Sequence, residues 1–204
     1  MSYFVQEQLK PHGLKGISDD QIEEHWTLYR GYVQNVNGLL EELARIEPGS
    51  RSWAELKRRA GFEFDGMVLH EYYFGNLRTG VEPGRQGALP RALARTWRSF
   101  GEWERDFVTT AAMRGIGWVI LYHDPFSGRL FNWWIGEHEA NHPVGLAPIL
   151  VLDVFEHAYM VDHGAGGRSP YVAAFLDNIN WRVVEQRFVE SHQRRLPNRF
   201  VVAA

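Results

Sequence analysis

The sequence predicts an α+β protein: an N-terminal helical hairpin followed by a C-terminal α/β domain with a three-stranded antiparallel sheet. Up to about residue 113, apolar residues recur at three- and four-residue steps, which is typical of amphipathic helices. From Gly117 onward, short runs of β-branched and aromatic residues replace that pattern and indicate strands. Helices followed by strands favour an α+β arrangement. We therefore expect a helical hairpin domain over residues 1–84 and an α/β domain over residues 85–204.

Two capping boxes indicate where the hairpin helices begin. Ser18-Asp19-Asp20-Gln21 predicts a first helix that runs to about Leu43. Ser52-Trp53-Ala54-Glu55 predicts a second helix, which ends at the Gly/Pro-rich segment 79–84. Pro90 favours the first position of a third helix, and apolar residues extend that helix to about Met113.

Three apolar runs predict the strands of the second half. They are residues 118–122, 130–135 and 149–152, and the turn residues 124–128 join the first two into a β-hairpin. Helices near residues 155–162 and 171–188 are expected to close the chain.

The composition limits the classes of function. The 204 residues include 8 Trp, 8 Tyr and 12 Phe, which suits a folded protein with an aromatic core. The net charge of −3 predicts no general affinity for nucleic acid, and the absence of cysteine leaves only His and carboxylates as metal ligands. The first residues lack a signal-peptide pattern, and no apolar run approaches the about 20 residues of a membrane span. We therefore expect a cytoplasmic protein with no nucleic-acid or membrane partner.

Four residues are candidate metal ligands. Asp153 and His157 follow a buried apolar run, and a carboxylate there is costly unless a cation or hydrogen bonds compensate its charge. His25 and His70 stand on the apolar faces of the two hairpin helices. Three imidazoles and one carboxylate suit iron or manganese, and the site would lie at the junction of the two halves. Alternatively, Asp153 caps a helix that begins at Phe155, and each histidine is a packed core residue.

Several ordered motifs resemble the iron/manganese superoxide dismutases. Asp153-Val154-Phe155-Glu156-His157-Ala158-Tyr159 is similar to the family signature Asp-Val-Trp-Glu-His-Ala-Tyr, with Phe155 in place of Trp. Four further segments resemble family motifs in the same order, so the resemblance covers roughly the whole chain. These are His70-Glu71-Tyr72-Tyr73, Gly117-Trp118, Ala140-Asn141, and Tyr171 with Asn180-Trp181 and Arg187.

The resemblance implies a dismutase that converts superoxide to oxygen and hydrogen peroxide at one iron or manganese ion per subunit. It implies a homodimer or a dimer of dimers. It also assigns roles to individual residues: His25, His70, Asp153 and His157 as metal ligands, Tyr32 as the gateway tyrosine, Trp118 as pocket wall, Arg187 as the arginine of the anion funnel, and Glu156 as a bridge to the partner subunit.

The chain departs from the family pattern at two places. The family sets a histidine between the first ligand and the gateway tyrosine, where this chain has Leu28 or Tyr29, and Met160 replaces the tyrosine that bonds to that histidine across the dimer. The family also uses a Gln to hydrogen-bond the metal-bound solvent, and both of its positions differ here. Gly66 occupies the first position and His142 the second, so we expect His142 to be the partner of that solvent.

A second motif offers a different function. His138-Glu139-Ala140-Asn141-His142 fits the His-Glu-x-x-His motif of zinc peptidases, which requires both imidazoles on one helix. Pro143 biases His142 away from the helical region, and Pro148 stands where a third ligand is needed. A third possibility is a metal-free, dimeric relative that serves as an interaction module. The metal content of the purified protein separates these three functions: iron or manganese favours the dismutase, zinc favours the peptidase, and no metal favours the interaction module.

Overall fold

The computed structural model describes residues 2–80 and 86–193, which form a helical hairpin followed by an α/β part. Helix α1 (Asp19–Leu43) and helix α2 (Arg51–Gly75) make the hairpin. They are antiparallel, since Tyr29 donates a hydrogen bond to Glu71 while Asn35, further along α1, donates to Glu63, earlier in α2. The fold class predicted from the sequence is confirmed. The expected boundary between residues 84 and 85 lies outside the described residues.

The helix starts follow the capping side chains. Ser18 caps α1 as predicted, because its Oγ accepts a hydrogen bond from the backbone N–H of Gln21. The prediction for α2 was wrong by two residues: Ser50, not Ser52, is the cap and accepts from the N–H of Trp53.

The expected third helix is two helices, α3 (Ala88–Trp97) and α4 (Phe100–Ala111). Arg98 between them adopts a left-handed conformation with φ of 72°. Ser99 then caps α4 by accepting from the N–H of Glu102. The chain therefore turns at a point where the apolar periodicity continues unbroken.

A three-stranded antiparallel sheet follows α4. Its strands are β1 (Trp118–His123), β2 (Leu130–Ile135) and β3 (Ala147–Asp153), in the order β2-β1-β3. Every residue of the central strand β1 is buried. The register pairs Trp118 with Ile135 on one side and with Asp153 on the other, so the end of β2 and the end of β3 meet at the start of β1.

The described residues after β3 are mainly helical, with more breaks than predicted. A 3₁₀ turn (Glu156–Ala158) and the short helix α5 (Met160–His163) stand where one helix was expected. Helices α6 (Arg168–Asp177) and α7 (Trp181–Gln193) replace the single closing helix. In the described residues, no helix is both long and apolar enough to cross a membrane.

Backbone hydrogen bonds tie the two halves together where α2 ends. The N–H of Asn180 donates to the carbonyl of Asn76 at 2.6 Å, and the N–H of Arg78 donates to the carbonyl of Asn178 at 2.9 Å. The Asn76 side chain also donates to the carbonyl of Val151 in β3 at 2.6 Å. The hairpin is thus fixed against the sheet, and the inner faces of α1 and α2 lie over the end of β3.

Candidate metal centre

The four predicted ligands come together around the carboxylate of Asp153. Its Oδ2 lies 3.0 Å from Nε2 of His25, 3.0 Å from Nε2 of His157 and 3.8 Å from Nε2 of His70. One ligand atom from each of the four residues lies within 4.8 Å of the other three. Asp153, His25 and His70 are fully buried, and a quarter of the His157 side chain is exposed.

Different elements position each side chain. His25 comes from α1, His70 from α2 and Asp153 from the last position of β3, while His157 belongs to the 3₁₀ turn. The second oxygen of Asp153 accepts from the N–H of Phe155 at 2.8 Å, so this carboxylate also caps the turn, as the alternative interpretation expected. Gln21 donates to the carbonyl of His157 at 2.7 Å and thereby holds the turn against α1.

The hydrogen bonds of His70 fit a metal-binding role. Its Nδ1–H donates to the carbonyl of Gly66 at 2.5 Å, which leaves the Nε2 lone pair directed at the cluster. That nitrogen is buried and has no hydrogen-bond partner among the described residues. A buried acceptor without a donor is costly, and a cation at this point would satisfy it.

The protonation states also fit a cation. Burial lowers the pKa of His25 and lowers that of His70 well below its ordinary value, so both imidazoles are neutral and able to ligate. Burial opposes the charge on Asp153, but His157 and the hydrogen bonds from His157 and His25 outweigh it and hold the pKa of Asp153 below its usual range. Burial lowers the pKa of His157, but the charge of Asp153 and the hydrogen bond to that carboxylate raise it above its ordinary value, so this imidazole gives up its proton when it ligates a cation. The donor set is then one carboxylate and three imidazoles, which suits iron or manganese.

A layer of aromatic side chains covers the cluster. The Tyr32 ring stacks on His70 with centroids 5.1 Å apart, and the buried Trp118 ring meets His70 edge-on at 5.1 Å. Between them lies His138, which was not predicted as a site residue in the dismutase interpretation. Its Nε2 is 2.6 Å from the Tyr32 hydroxyl oxygen, and its Nδ1 accepts from the indole N–H of Trp118 at 3.1 Å.

These contacts fix the direction of the hydrogen bonds. An indole N–H only donates, so Nδ1 of His138 carries no hydrogen and the neutral ring keeps its hydrogen on Nε2. That N–H then donates to the Tyr32 oxygen, and the Tyr32 O–H stays available to a further acceptor. Burial lowers the pKa of His138 to about 4, and burial raises the pKa of Tyr32 to about 12, so both groups are neutral at neutral pH.

His142 does not occupy the position that the sequence suggested. Its Nδ1 is bonded to the Tyr122 hydroxyl at 2.8 Å and its Nε2 to the main-chain carbonyl of His138 at 2.5 Å, so neither nitrogen faces the cluster. The sheet register explains the difference. The segment that leaves β2 after Ile135 starts beside Trp118, and His138 is therefore the histidine that reaches the centre.

The same geometry contradicts the zinc-peptidase alternative. Residues 136–142 are not helical, and Asn141 has a left-handed φ of 69°. His138 and His142 consequently bond to different partners instead of presenting two nitrogens to one ion.

Arg187 does not reach the cluster. Its guanidinium donates to the carbonyl of Tyr72 at 3.3 Å and to the side chain of Asn76, and it lies 4.6 Å from the Tyr72 ring centroid. The carbonyls at a helix C-terminus carry partial negative charge, so the contacts of Arg187 join α7 to the end of α2. The expected funnel role does not fit this structural position.

The remaining predicted residues lie beside the centre. Glu156 is exposed next to His157, and its side chain makes no hydrogen bond or ion pair within the described part of the chain. Met160 is 47% exposed, and Leu28 is 40% exposed. Tyr29 is buried, and its hydroxyl donates to Glu71 at 2.9 Å, so it does not stand in for the missing gate histidine.

Fold and site together define a protein with a cluster of four residues that could hold one metal ion, between a helical hairpin and a small sheet. Residues 85–187 match the family model described as "Iron/manganese superoxide dismutases, C-terminal domain". The chain is 40% identical over 191 residues to the "Superoxide dismutase [Fe]" of Aquifex pyrophilus, which covers 89% of both chains. It is 35% identical over 185 residues to the "Superoxide dismutase [Fe]" of Cupriavidus metallidurans, covering 88% of this chain and 92% of the relative.

A manganese-named relative matches nearly as well. The "Superoxide dismutase [Mn] 2" of Haloferax volcanii is 32% identical over 188 residues, covering 90% of both chains. The chain therefore belongs to the iron/manganese superoxide dismutase family. The names of these relatives include both metals and do not choose between them.

Proposed function

We propose that this protein is a superoxide dismutase that uses one iron or manganese ion per subunit, held by His25, His70, Asp153 and His157. The observation that carries the proposal is the convergence of their four ligand atoms within 4.8 Å, with Nε2 of His70 buried and lacking any other partner in the described structure. An iron or manganese ion bound there supplies one-electron chemistry: one superoxide gives up an electron and leaves as oxygen, and a second takes that electron with two protons and becomes hydrogen peroxide.

The residues of the protein bind the metal ion, shield it from solvent and deliver protons to the substrate. Buried aromatic rings around His70 exclude larger molecules and water from the cluster. We call Tyr32 and His138 together the gate. The Tyr32 hydroxyl is its proton donor, because the Tyr32 oxygen already accepts a hydrogen bond from His138 and its own hydrogen is available. The raised pKa of Tyr32, about 12, keeps this hydrogen in place at neutral pH.

His138 is the positioning residue of this gate in our proposal, a role different from that of solvent partner expected of His142. Trp118 fixes its tautomer, and its Nε2–H holds the Tyr32 oxygen. Residues that orient a metal site's hydrogen bonds tune the site, so His138 is also the residue expected to influence the choice between iron and manganese.

We further propose that the protein works as a homodimer or a dimer of dimers, with Glu156 as the bridge to the partner's site. Support comes from the exposure of Glu156 beside His157 and from the exposed apolar neighbours Met160 (47%) and Val161 (53%). Light scattering of the wild type and of Glu156→Ala tests this: the wild type should be oligomeric and the variant should dissociate more readily. A location in the cytoplasm stays a prediction, which cell fractionation would test.

The decisive experiment pairs two aspartates. Asp153→Asn keeps the shape of the side chain but removes the charge that the cation needs, and Asp177→Asn removes the same charge at an exposed ion pair with Lys15. We expect Asp153→Asn to lose the bound metal and superoxide-dependent activity, and Asp177→Asn to keep both. Elemental analysis and a superoxide-decay assay give the readouts. Full metal occupancy in Asp153→Asn would remove Asp153 from the ligand set, and a metal-free wild type would favour the non-catalytic interaction module.

A further inference from the structure

An arginine lies on the outer side of the gate. The guanidinium carbon of Arg59 is 3.9 Å from the ring centroid of Phe62. The Phe62 ring in turn lies 4.5 Å from the His138 ring and 6.1 Å from the Tyr32 ring. The Phe62 ring therefore lies between Arg59 and the two residues that cover the candidate centre. The Arg59 side chain is 56% exposed.

Glu63 holds Arg59 in a fixed direction. Nε of Arg59 donates to Glu63 at 2.6 Å, and the other oxygen of that carboxylate accepts from Asn35 at 3.0 Å. The Glu63 side chain is only 6% exposed, so the carboxylate lies beneath the guanidinium. The two terminal nitrogens of Arg59 make no hydrogen bond within the described part of the chain. They present the open side of a planar donor fork to solvent, which suits a small anion.

The surroundings of the gate are otherwise acidic. The charges that act most strongly on the Tyr32 hydroxyl are those of Asp153, Glu63 and Glu137, which raise its pKa, and that of Arg59, which lowers it. The whole chain carries a net charge of −3. In the metal-loaded protein the cation offsets the charge of Asp153. An anion near Tyr32 is then repelled by Glu63 and Glu137 and attracted by Arg59.

We propose that Arg59 draws small anions to the gate and holds them briefly on its terminal nitrogens before they pass Tyr32. Local fields of this kind raise association rates even when the net charge is unfavourable. The inference rests on the proposed function as far as the anion is superoxide. Azide, a small anion that ligates metal ions, tests the same path without turnover.

The test compares four proteins: the metal-loaded wild type, Arg59→Gln, Glu63→Gln and Arg58→Gln. Arg58 is the matched control because it is the next residue on α2, is 67% exposed and pairs with Glu55 at the surface. For each protein, kcat/KM for superoxide and the dissociation constant of azide are measured at ionic strengths below and above about 0.1 M, where the screening length is about 10 Å.

We expect Arg59→Gln to lower kcat/KM and weaken azide binding by about threefold to tenfold at low ionic strength and to flatten the salt dependence. Glu63→Gln removes the opposing charge and should change both quantities in the other direction. Arg58→Gln should follow the wild type. Elemental analysis checks that all variants hold the same metal.

Two results would overturn the proposal. Equal salt dependence in Arg59→Gln and Arg58→Gln would mean that Arg59 exerts no special attraction. A loss of azide affinity in Glu63→Gln similar to that in Arg59→Gln would mean that the pair only supports the structure. A wild type that binds azide but does not consume superoxide would instead refute the proposed function, and the azide measurements would still decide the role of Arg59.

Discussion

Gly66 makes room for the gate tyrosine, and replacing it tests the geometry of the gate. A Cβ atom at position 66 would lie 2.7 Å and 2.8 Å from two carbons of the Tyr32 ring. Ordinary carbon contacts begin at about 3.5 Å, so Gly66→Ala forces the ring to move by about 0.8 Å. The Tyr32–His138 hydrogen bond, now 2.6 Å, would then approach the limit of a useful hydrogen bond.

The energy of this change can be separated from helix propensity. Overpacking costs about 1–3 kcal/mol, whereas alanine in place of glycine inside a helix gains up to about 1 kcal/mol. Gly31 is the matched control, since it neighbours Tyr32 inside α1 and a Cβ there would meet no atom within 4 Å. Gly31→Ala should therefore be neutral or stabilising, and Gly66→Ala should be less stable than Gly31→Ala by about 1–3 kcal/mol.

Urea unfolding of the two alanine variants measures the difference, and the superoxide-decay assay measures its effect on the gate. We expect Gly66→Ala to lose activity while it keeps its metal. If Gly66→Ala matches Gly31→Ala in both stability and activity, the close approach of Tyr32 to α2 does not control the gate. The same close approach means that a Gln at position 66, one of the two places where the family sets it, has no room while Tyr32 stays in position.

Three further predictions concern other residues. His138→Gln should change both the ratio of iron- to manganese-supported activity and the pH profile of activity, whereas His142→Gln should leave both close to the wild type. If His142→Gln changes them and His138→Gln does not, His142 is the residue that tunes the metal. Trp118→Phe removes the indole N–H that fixes the His138 tautomer, so we expect kcat to fall with metal content unchanged, and an unaltered kcat would rule out that orientation. Burial lowers the pKa of His123 to about 4 from about 6.5 in the unfolded chain, so the unfolded chain binds the proton first. The free energy of unfolding should therefore fall by at most about 3 kcal/mol as pH decreases from about 6.5 to about 4, and His123→Gln should show a smaller fall in urea unfolding; equal slopes would contradict this.

Local patterns predicted most of the fold because they depend on residues close together in the sequence. The three strands were expected within one or two residues, since runs such as Leu130–Ile135 are apolar and bounded by turn residues. The break between α3 and α4 was missed, although Ser99-Phe100-Gly101-Glu102 fits the capping-box pattern in the sequence. Apolar residues continue on both sides of that box, and the periodicity concealed a change in chain direction that only the left-handed Arg98 reveals.

The cluster of four candidate ligands could be predicted from the sequence, and the layer of residues around it could not. Asp153 and His157 belong to one motif, and His25 and His70 lie on apolar helix faces that must meet the core. The choice between His138 and His142 depends on the path of a loop after β2, which no local pattern specifies. The pairing of Trp118 with both Ile135 and Asp153 brings His138 to the centre, and this pairing becomes visible only when the sheet register is known.

Anomalous diffraction from crystals of the metal-loaded protein tests the central claim most directly. We predict one strong anomalous peak per subunit, within bonding distance of Nε2 of His25, His70 and His157 and of Oδ2 of Asp153. A peak between His138 and His142, or no peak among these four ligands in a protein that consumes superoxide, would contradict the proposed centre.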